Sequence, residues 1–294
     1  MQKFIFKKST WLHLRIPFSF YLLPVFLLSL ATSPDPHGYG IISVFAILHL
    51  LVYPASNGYN SYFDKDEDSI GGIKHPPKVS RELYDAALIF DGLALLWSLT
   101  LGWQFTIMVF IYGMVSKAYS HPAVRLKKYP ITGWFVAGFF QGFFTYLMCY
   151  MGINQVTMSA LGHWNVLAPA LLSSAMLWGS YPMTQVYQHQ EDARRGDRTI
   201  SLLLGIKGTF YFTAIFFSIS TAGFIYYFYQ SIKPLWGFLF PVFLLPVLIY
   251  FFYWFNKVRK DHAKADFSHT MKLNFISSLC LNLYFLSVFL YFSY

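Results

Sequence analysis

Nine apolar stretches, each close to the length of one bilayer crossing, govern what this chain can fold into. They lie near residues 13–31, 39–62, 83–101, 103–119, 131–151, 165–187, 209–230, 234–255 and 272–293. A spanning helix needs about 20 predominantly apolar residues. Irregular backbone cannot satisfy its polar groups in lipid, so these stretches are expected to be helices. Only Gly102 clearly separates the third from the fourth, which leaves a tight hairpin of short helices as the alternative there. Composition agrees with a membrane protein: 56% of residues are hydrophobic and 12% charged, against about 25% charged in a soluble domain. Lys3, Lys7 and Lys8 lead into the first stretch, which has no small-residue cleavage site before Ala31 and reads as a retained helix. Cys149 and Cys280 lie inside apolar runs and read as small buried hydrophobes, not as a disulfide or metal pair.

The net charge of +9 raises nucleic acid as a partner, but its distribution argues against one. Of 22 Lys and Arg residues, 21 lie at the N-terminal end or follow stretches two, four, six and eight. Only Lys233 lies on the other side. The positive-inside rule then places the N-terminus in the cytoplasm and the C-terminus on the opposite side. The regularity also supports nine crossings, because a missed or extra helix would invert the later loops. With no long linker and no low-complexity tract, residues 1–294 read as a single all-α integral membrane domain of nine transmembrane helices.

Asn60-Ser61-Tyr62-Phe63-Asp64-Lys65-Asp66-Glu67-Asp68 closes the second stretch and holds four of the 13 acidic residues. Asn60, Asp64 and Asp68 stand at i, i+4 and i+8, which on a helix aligns them along one stripe. Oxygen ligands at a helix mouth suit Mg²⁺, which takes one or two carboxylates and completes its shell with water and phosphate oxygens. The plain alternative is a solvated helix end. A second cluster, Gln188-His189-Gln190-Glu191-Asp192-Ala193-Arg194-Arg195-Gly196-Asp197-Arg198-Thr199, follows the sixth stretch. Gly196 is expected to end a helix there. Asp192 and Asp197 can share an ion only if the chain bends at that glycine. The alternative is a charged cap of internal ion pairs. A third run, Tyr119-Ser120-His121-Pro122-Ala123-Val124-Arg125-Leu126-Lys127-Lys128, reads as a phosphate clamp or as a positive-inside anchor. Taken together, two acidic clusters and nearby cations on one membrane face fit ionisation of an allylic diphosphate. Metal and cations would stabilise the leaving pyrophosphate.

These motifs resemble the UbiA superfamily of integral-membrane prenyltransferases. The first has the family form Asn-x-x-x-Asp-x-x-x-Asp at Asn60, Asp64 and Asp68. The third matches Tyr-Ser-x-Pro-Pro-x-Arg-Leu-Lys at Tyr119, Ser120, Pro122, Arg125, Leu126 and Lys127, with Ala123 replacing the second proline. The second matches Asp-x-x-x-Gly-Asp-x-Thr at Asp192, Gly196, Asp197 and Thr199. The resemblance implies a bundle around a central cavity with a cytoplasmic cap. It implies prenyl transfer from a Mg²⁺-bound prenyl diphosphate to a lipophilic acceptor, commonly aromatic or a quinone precursor. By position, Asn60, Asp64 and Asp68 would bind one Mg²⁺, and Asp192 would help bind a second. Asp64, Asp68 and Asp192 are then the catalytic candidates, and Arg15, Tyr119, Arg125, Lys127 and Arg198 the diphosphate-binding candidates. One departure stands out. Gln188 occupies the place of a usual Asp and offers only a neutral carbonyl. Either Glu191 or Asp197 would then supply the missing charge, or the second metal would be held loosely.

Gln188 also makes an intramembrane terpene cyclase of the same superfamily the second reading. A transporter or lipid-binding protein with acidic gates is the third; acids at the helix ends rather than mid-membrane count against it. Asp91 sits inside the third stretch, where an acid is costly unless paired. It faces either the acceptor or cytoplasmic water. Asn57 and Gln141 are comparable polar residues, each a possible acceptor contact or helix–helix glue. His13 and His49 read as packed residues. Gly71-Gly72 reads as a hinge beside the first motif.

Overall fold

A computed structural model describes residues 6–293; Lys3 of the charge pattern lies outside the described residues. Helices occupy all nine apolar stretches. In chain order they are α1 (Lys8–Tyr21), α2 (Leu23–Ala31), α3 (Gly38–Asp64), α4 (Arg81–Leu101), α5 (Trp103–Ser120) and α6 (Pro130–Asn154). Then follow α7 (Trp164–Ser180), α8 (His189–Arg195), α9 (Ile200–Ser231), α10 (Pro234–Lys260) and α11 (Phe267–Ser293). Among the described residues there is no strand, only an isolated bridge between Ile70 and Ile73. Helices α4 and α5 are separate, joined where Gly102 takes φ +101°, a conformation an L side chain rarely adopts.

Among the described residues six helices are long and apolar enough to cross a membrane alone: α3, α4, α6, α9, α10 and α11. A seventh span arises if α1 and α2, bent by 40° at their junction, form one crossing. This is fewer than the nine expected from the sequence. Helix α7 has only 17 residues and a proline, Pro169, inside it. Helix α5 is diluted by Gln104 and Lys117. The chain is therefore a multi-pass, all-helical membrane protein with six such spans on length and apolarity. Large apolar side chains such as Ile42, Leu96, Phe238 and Ile249 are exposed, as lipid-facing residues must be.

The chain forms two compact units. The first comprises the chain up to Phe20, Asp35–Leu126 and Met151–Thr157. Its core joins Leu14, Ala55, Leu83 and Phe90, with Trp11, Leu51 and Tyr62 packed around them. Lipid tails are as apolar as leucine, so helices in a bilayer associate by close packing and polar contacts rather than by burial from water. Gly40 shows the closeness: a Cβ there would stand 2.4 Å from the Gly152 carbonyl oxygen. His49 is buried, stacked 4.9 Å from the Phe45 ring and edge-on to Tyr53, a packed residue as expected. His13 is buried too, with Nε2 2.7 Å from the Pro77 carbonyl.

The second unit comprises Tyr21–Pro34, Lys127–Tyr150 and Met158–Tyr294. Its core is aromatic: Phe224, Phe228, Phe240, Tyr284 and Phe285 lie with ring centroids 4.9 to 6.4 Å apart. The buried Tyr284 hydroxyl donates to the Trp236 carbonyl at 2.7 Å, which satisfies its polar end. Both cysteines are free and buried.

Candidate functional site

In the first unit, α3 carries Asn60 and Asp64 on consecutive turns and then stops. Lys65 takes a left-handed φ of +51°, and its N–H closes on Ser61. Asp68 therefore leaves the helical stripe that its spacing suggested. It is exposed, as is Glu67, in the irregular segment beyond the helix, where Asp66 is partly buried. The Asp64 side chain is 4% exposed, with Arg125 Nη2 3.6 Å from its Oδ1. Arg125 itself sits at φ +46°, its N–H bonded to the His121 carbonyl at 2.8 Å. Ser120 Oγ donates to Asn60 Oδ1 at 2.6 Å. Among the described residues four non-glycines have positive φ, and two of them, Lys65 and Arg125, belong to this unit's motif segments, with Arg15 a third in the same unit. Such costly backbone gathers where surrounding structure imposes it.

Arg15 donates to the Gly71 and Asn57 carbonyls at 3.1 and 3.4 Å and lies 5.4 Å over the Phe18 ring. It thus braces the loop that follows the first motif. Gly71 and Gly72, expected as a hinge, are instead sites of close packing against Phe18. A Cβ on Gly71 would stand 2.6 Å from Phe18 Cζ, and Gly72 holds φ +83° with Phe18 Cδ2 3.0 Å from its Cβ position. Gly72→Ala is expected to cost about 1–2 kcal/mol from backbone conformation alone, read as a lower thermal midpoint in detergent. An unchanged midpoint would restore the hinge.

Asp91 is neither solvent-facing nor free. Its carboxylate pairs with Lys117 of α5, and that ammonium lies 5.2 Å over the Tyr59 ring. The sequence assigned Lys117 to the basic loops; nothing in the chain links it to an acid 26 residues earlier. Rings of Tyr59, Tyr62, Phe63, Tyr84 and His121 crowd beside the motif at 4.8 to 6.2 Å. Tyr119 is partly buried at the end of α5.

In the second unit, α8 runs from its N-cap Gln188 to Arg195, and Gly196 ends it at φ +73°. The chain does bend there: the Asp197 N–H donates back to the Asp192 carbonyl at 2.9 Å. Asp197 is 3% exposed. Burial first, and then the nearby Asp197 carboxylate, push Asp192 up to about 7; Thr199, Arg195 and Lys127 pull the other way. Thr199 Oγ1 donates to Asp192 Oδ2 at 3.3 Å. Glu191 pairs with Arg195, and Asp197 is the acid whose charge acts on Asp192. Gln188 contributes its carbonyl to the Asp192 N–H. The Arg198 N–H donates to the Lys128 carbonyl at 3.2 Å, while its side chain is exposed. His189 Nε2 lies 2.7 Å from Ser201 Oγ, fastening α8 to α9. Only the cluster's density of polar residues hinted at that tie.

Among the described residues no three His, Cys, Asp or Glu side chains gather into a closed cage. The donors of the two clusters are carboxylate and amide oxygens, unlike the thiolates and imidazoles of a structural Zn²⁺ site, and that donor set is a hard one. It fits Mg²⁺, which is held by one or two carboxylates with water and substrate phosphate. The first unit offers Asn60 and Asp64 with Arg125 beside them. The second offers Asp192 and Asp197, with the Lys127 charge acting on Asp192.

Fold and clusters together describe a membrane-embedded helical protein with acidic, cation-flanked motifs in each unit. The chain belongs to the UbiA prenyltransferase family, whose model matches residues 21–279, and it is an enzyme of the prenyltransferase class. Its fold is that of solved family members. A UbiA homolog from Archaeoglobus fulgidus bound to GPP and Mg²⁺ superposes with TM-score 0.70 at 16% identity, over 96% of this chain and 99% of that chain. A UbiA homolog from Aeropyrum pernix K1 gives 0.67 at 17% identity, over 92% and 99%. A structure of digeranylgeranylglyceryl phosphate synthase gives 0.62 at 18% identity, over 96% and 98%. No curated protein matches the sequence.

Proposed function

We propose that this chain transfers a prenyl group from a Mg²⁺-bound prenyl diphosphate to a lipophilic acceptor of the aromatic or quinone-precursor class. One observation carries the reading: in each unit an aspartate of the acidic motif is set beside a cation, Asp64 with Arg125 and Asp192 with Lys127. Support for the donor comes from the Archaeoglobus fulgidus homologs solved with GPP or DMAPP and Mg²⁺. We assign Asn60, Asp64 and Asp68 to one Mg²⁺, and Asp192 and Asp197, with Gln188 and Glu191 at the margin, to a second. Bound there, Mg²⁺ supplies Lewis-acid polarisation of the diphosphate oxygens. Arg125, Lys127, Arg15, Tyr119 and Arg198 are the diphosphate ligands, the guanidinium forks giving bidentate contacts and the ammonium a point charge. Departure of pyrophosphate leaves an allylic cation, and ring faces such as those of Tyr59 and Phe63 suit positive charge. The nine helical stretches form nine crossings of one domain, residues 1–294. The N-terminus and the motif loops lie on the cytoplasmic side, where the loops form a cap, and the C-terminus lies on the other.

Pyrophosphate release by the detergent-purified protein tests this. Geranyl, farnesyl and geranylgeranyl diphosphates are supplied with Mg²⁺, with and without phenolic and quinone-precursor acceptors. Release that needs both Mg²⁺ and an acceptor is expected. Release without acceptor, with a cyclic hydrocarbon or alcohol in the extract, would replace transfer by cyclisation. Lys127→Ala is expected to lower kcat/KM for the donor roughly tenfold, since one charge-assisted contact to the leaving group is lost, while Lys127→Arg keeps most of it. An unchanged kcat/KM in Lys127→Ala would remove Lys127 from the diphosphate site.

A further inference from the structure

We infer that Ser120, held in register by the Asp91–Lys117 ion pair, is a positioning residue that fixes the Asn60 carboxamide for its metal. This rests on the proposal that Asn60 is a Mg²⁺ ligand. Helices α3 and α5 meet through two polar rungs one helical turn apart. Ser56 and Ser116 hydroxyls are 2.5 Å apart, and Ser120 Oγ donates to Asn60 Oδ1 at 2.6 Å. Both rungs pair residues at i and i+4, so the helices run in the same direction and one register satisfies both. Between the rungs, Lys117 reaches from α5 past the Tyr59 ring to Asp91 on α4. Its side chain and that of Asp91 are 16% and 19% exposed.

An ion pair within membrane helices is expensive, and apolar residues of similar shape are often as stable in its place. What such a pair supplies is register, because its attraction vanishes when one helix slides. Here the register decides whether Ser120 meets Asn60. A carboxamide can present either its oxygen or its NH₂ to a cation, and only the oxygen binds. By donating to Oδ1, the Ser120 hydroxyl selects one orientation and uses one of the oxygen's two lone pairs. A group that orients a ligand in this way typically contributes tenfold or more to metal affinity. Ser120 is 2% exposed, so water cannot readily take over its bond.

Mn²⁺ binding to the full-length protein in detergent, followed by electron paramagnetic resonance, tests this without turnover. Ser120→Ala is expected to weaken Mn²⁺ binding about tenfold, and Ser120→Thr, which keeps the hydroxyl, to stay within about twofold of the parent protein. In an Asn60→Ala background, Ser120→Ala is expected to have no further effect. The double variant Asp91→Leu/Lys117→Met is expected to keep its thermal midpoint and lose Mn²⁺ affinity as Ser120→Ala does. Parent-like affinity in Ser120→Ala, alongside weakened Asn60→Ala, would overturn the assignment, as would additive effects in the two backgrounds. Parent-like affinity in the double variant would overturn the role of the ion pair. Mn²⁺ binding untouched by both Asn60→Ala and Asp64→Ala would remove the metal site itself, and the positioning role with it.

Discussion

Asp64→Asn is expected to lower Mg²⁺-dependent pyrophosphate release by roughly three orders of magnitude, with the protein still folded. Removing one pre-placed electrostatic group from a site of developing charge commonly costs 10²–10³-fold in rate. On the proposed assignment Asp64 has two such duties, as a carboxylate ligand and as the counter-charge paired with Arg125. The amide keeps the shape of the side chain and removes only the charge, so the loss is one of chemistry rather than packing. Asp64→Ala should lose as much rate, and should lose stability too, because the mostly buried Arg125 then loses this ion pair. Asp192→Asn is expected to cost less, about 10²-fold, because Asp197 stands beside it and carries part of the charge. Initial rates across a Mg²⁺ series, with size-exclusion profiles for each variant, separate the cases. An Asp64→Asn protein that keeps a tenth of the parent rate at unchanged Mg²⁺ half-saturation would sink the assignment of this aspartate to the metal.

The membrane architecture was legible because hydrophobic length is a property of the chain itself. Each apolar stretch became a helix, and Gly102 divided two of them at the expected point. Gly196 likewise ended a helix and brought Asp197 back to Asp192. The failures share a cause. The i, i+4, i+8 spacing extends to Asp68 only while the helix continues, and the left-handed turn at Lys65 stops it one turn early. A non-glycine residue at positive φ carries no mark in the sequence, since neighbours in space impose it. The same holds for charge pairing. Lys117 looks like any cation at a membrane border until α4 brings Asp91 to it. Glu191, by contrast, pairs with Arg195 one turn on, the internal ion pair that the sequence offered as the plain alternative for that cluster. The crossing count differs for another reason: α5 and α7 are helical but too short or too polar to pass as spans unaided.

Gly142→Ala is expected to have the largest effect on stability of any single methyl added to the chain's second unit. Helix α6 is interrupted by a π turn over Phe139–Phe144. A π turn frees backbone groups from the regular α ladder, and here one side chain takes up two of them. Ser174 of α7 donates to the Gly138 carbonyl at 2.8 Å and accepts from the Phe143 N–H at 2.8 Å. Ser174 can enter because Gly138 and Gly142, four residues apart, let the helices approach as small residues do in membranes. A Cβ on Gly142 would stand 2.6 Å from both Cα and N of Ser174, and one on Gly138 would stand 2.1 Å from Trp178 Cδ1. At Gly142 the obstacle is backbone, which no rotamer change relieves. The helices must therefore separate, and the Ser174 bridge breaks with them. Overpacking alone costs about 1–3 kcal/mol, and stranding the bridged backbone groups adds about 1–3 kcal/mol each. Ser174→Ala isolates the second term, because it removes the bridge without adding bulk. Thermal denaturation in detergent should therefore rank the parent above Ser174→Ala, and Ser174→Ala well above Gly142→Ala. Gly142→Ala with a midpoint at or above that of Ser174→Ala would mean that the π turn can relax away from α7, and that the glycine pair does not set their distance.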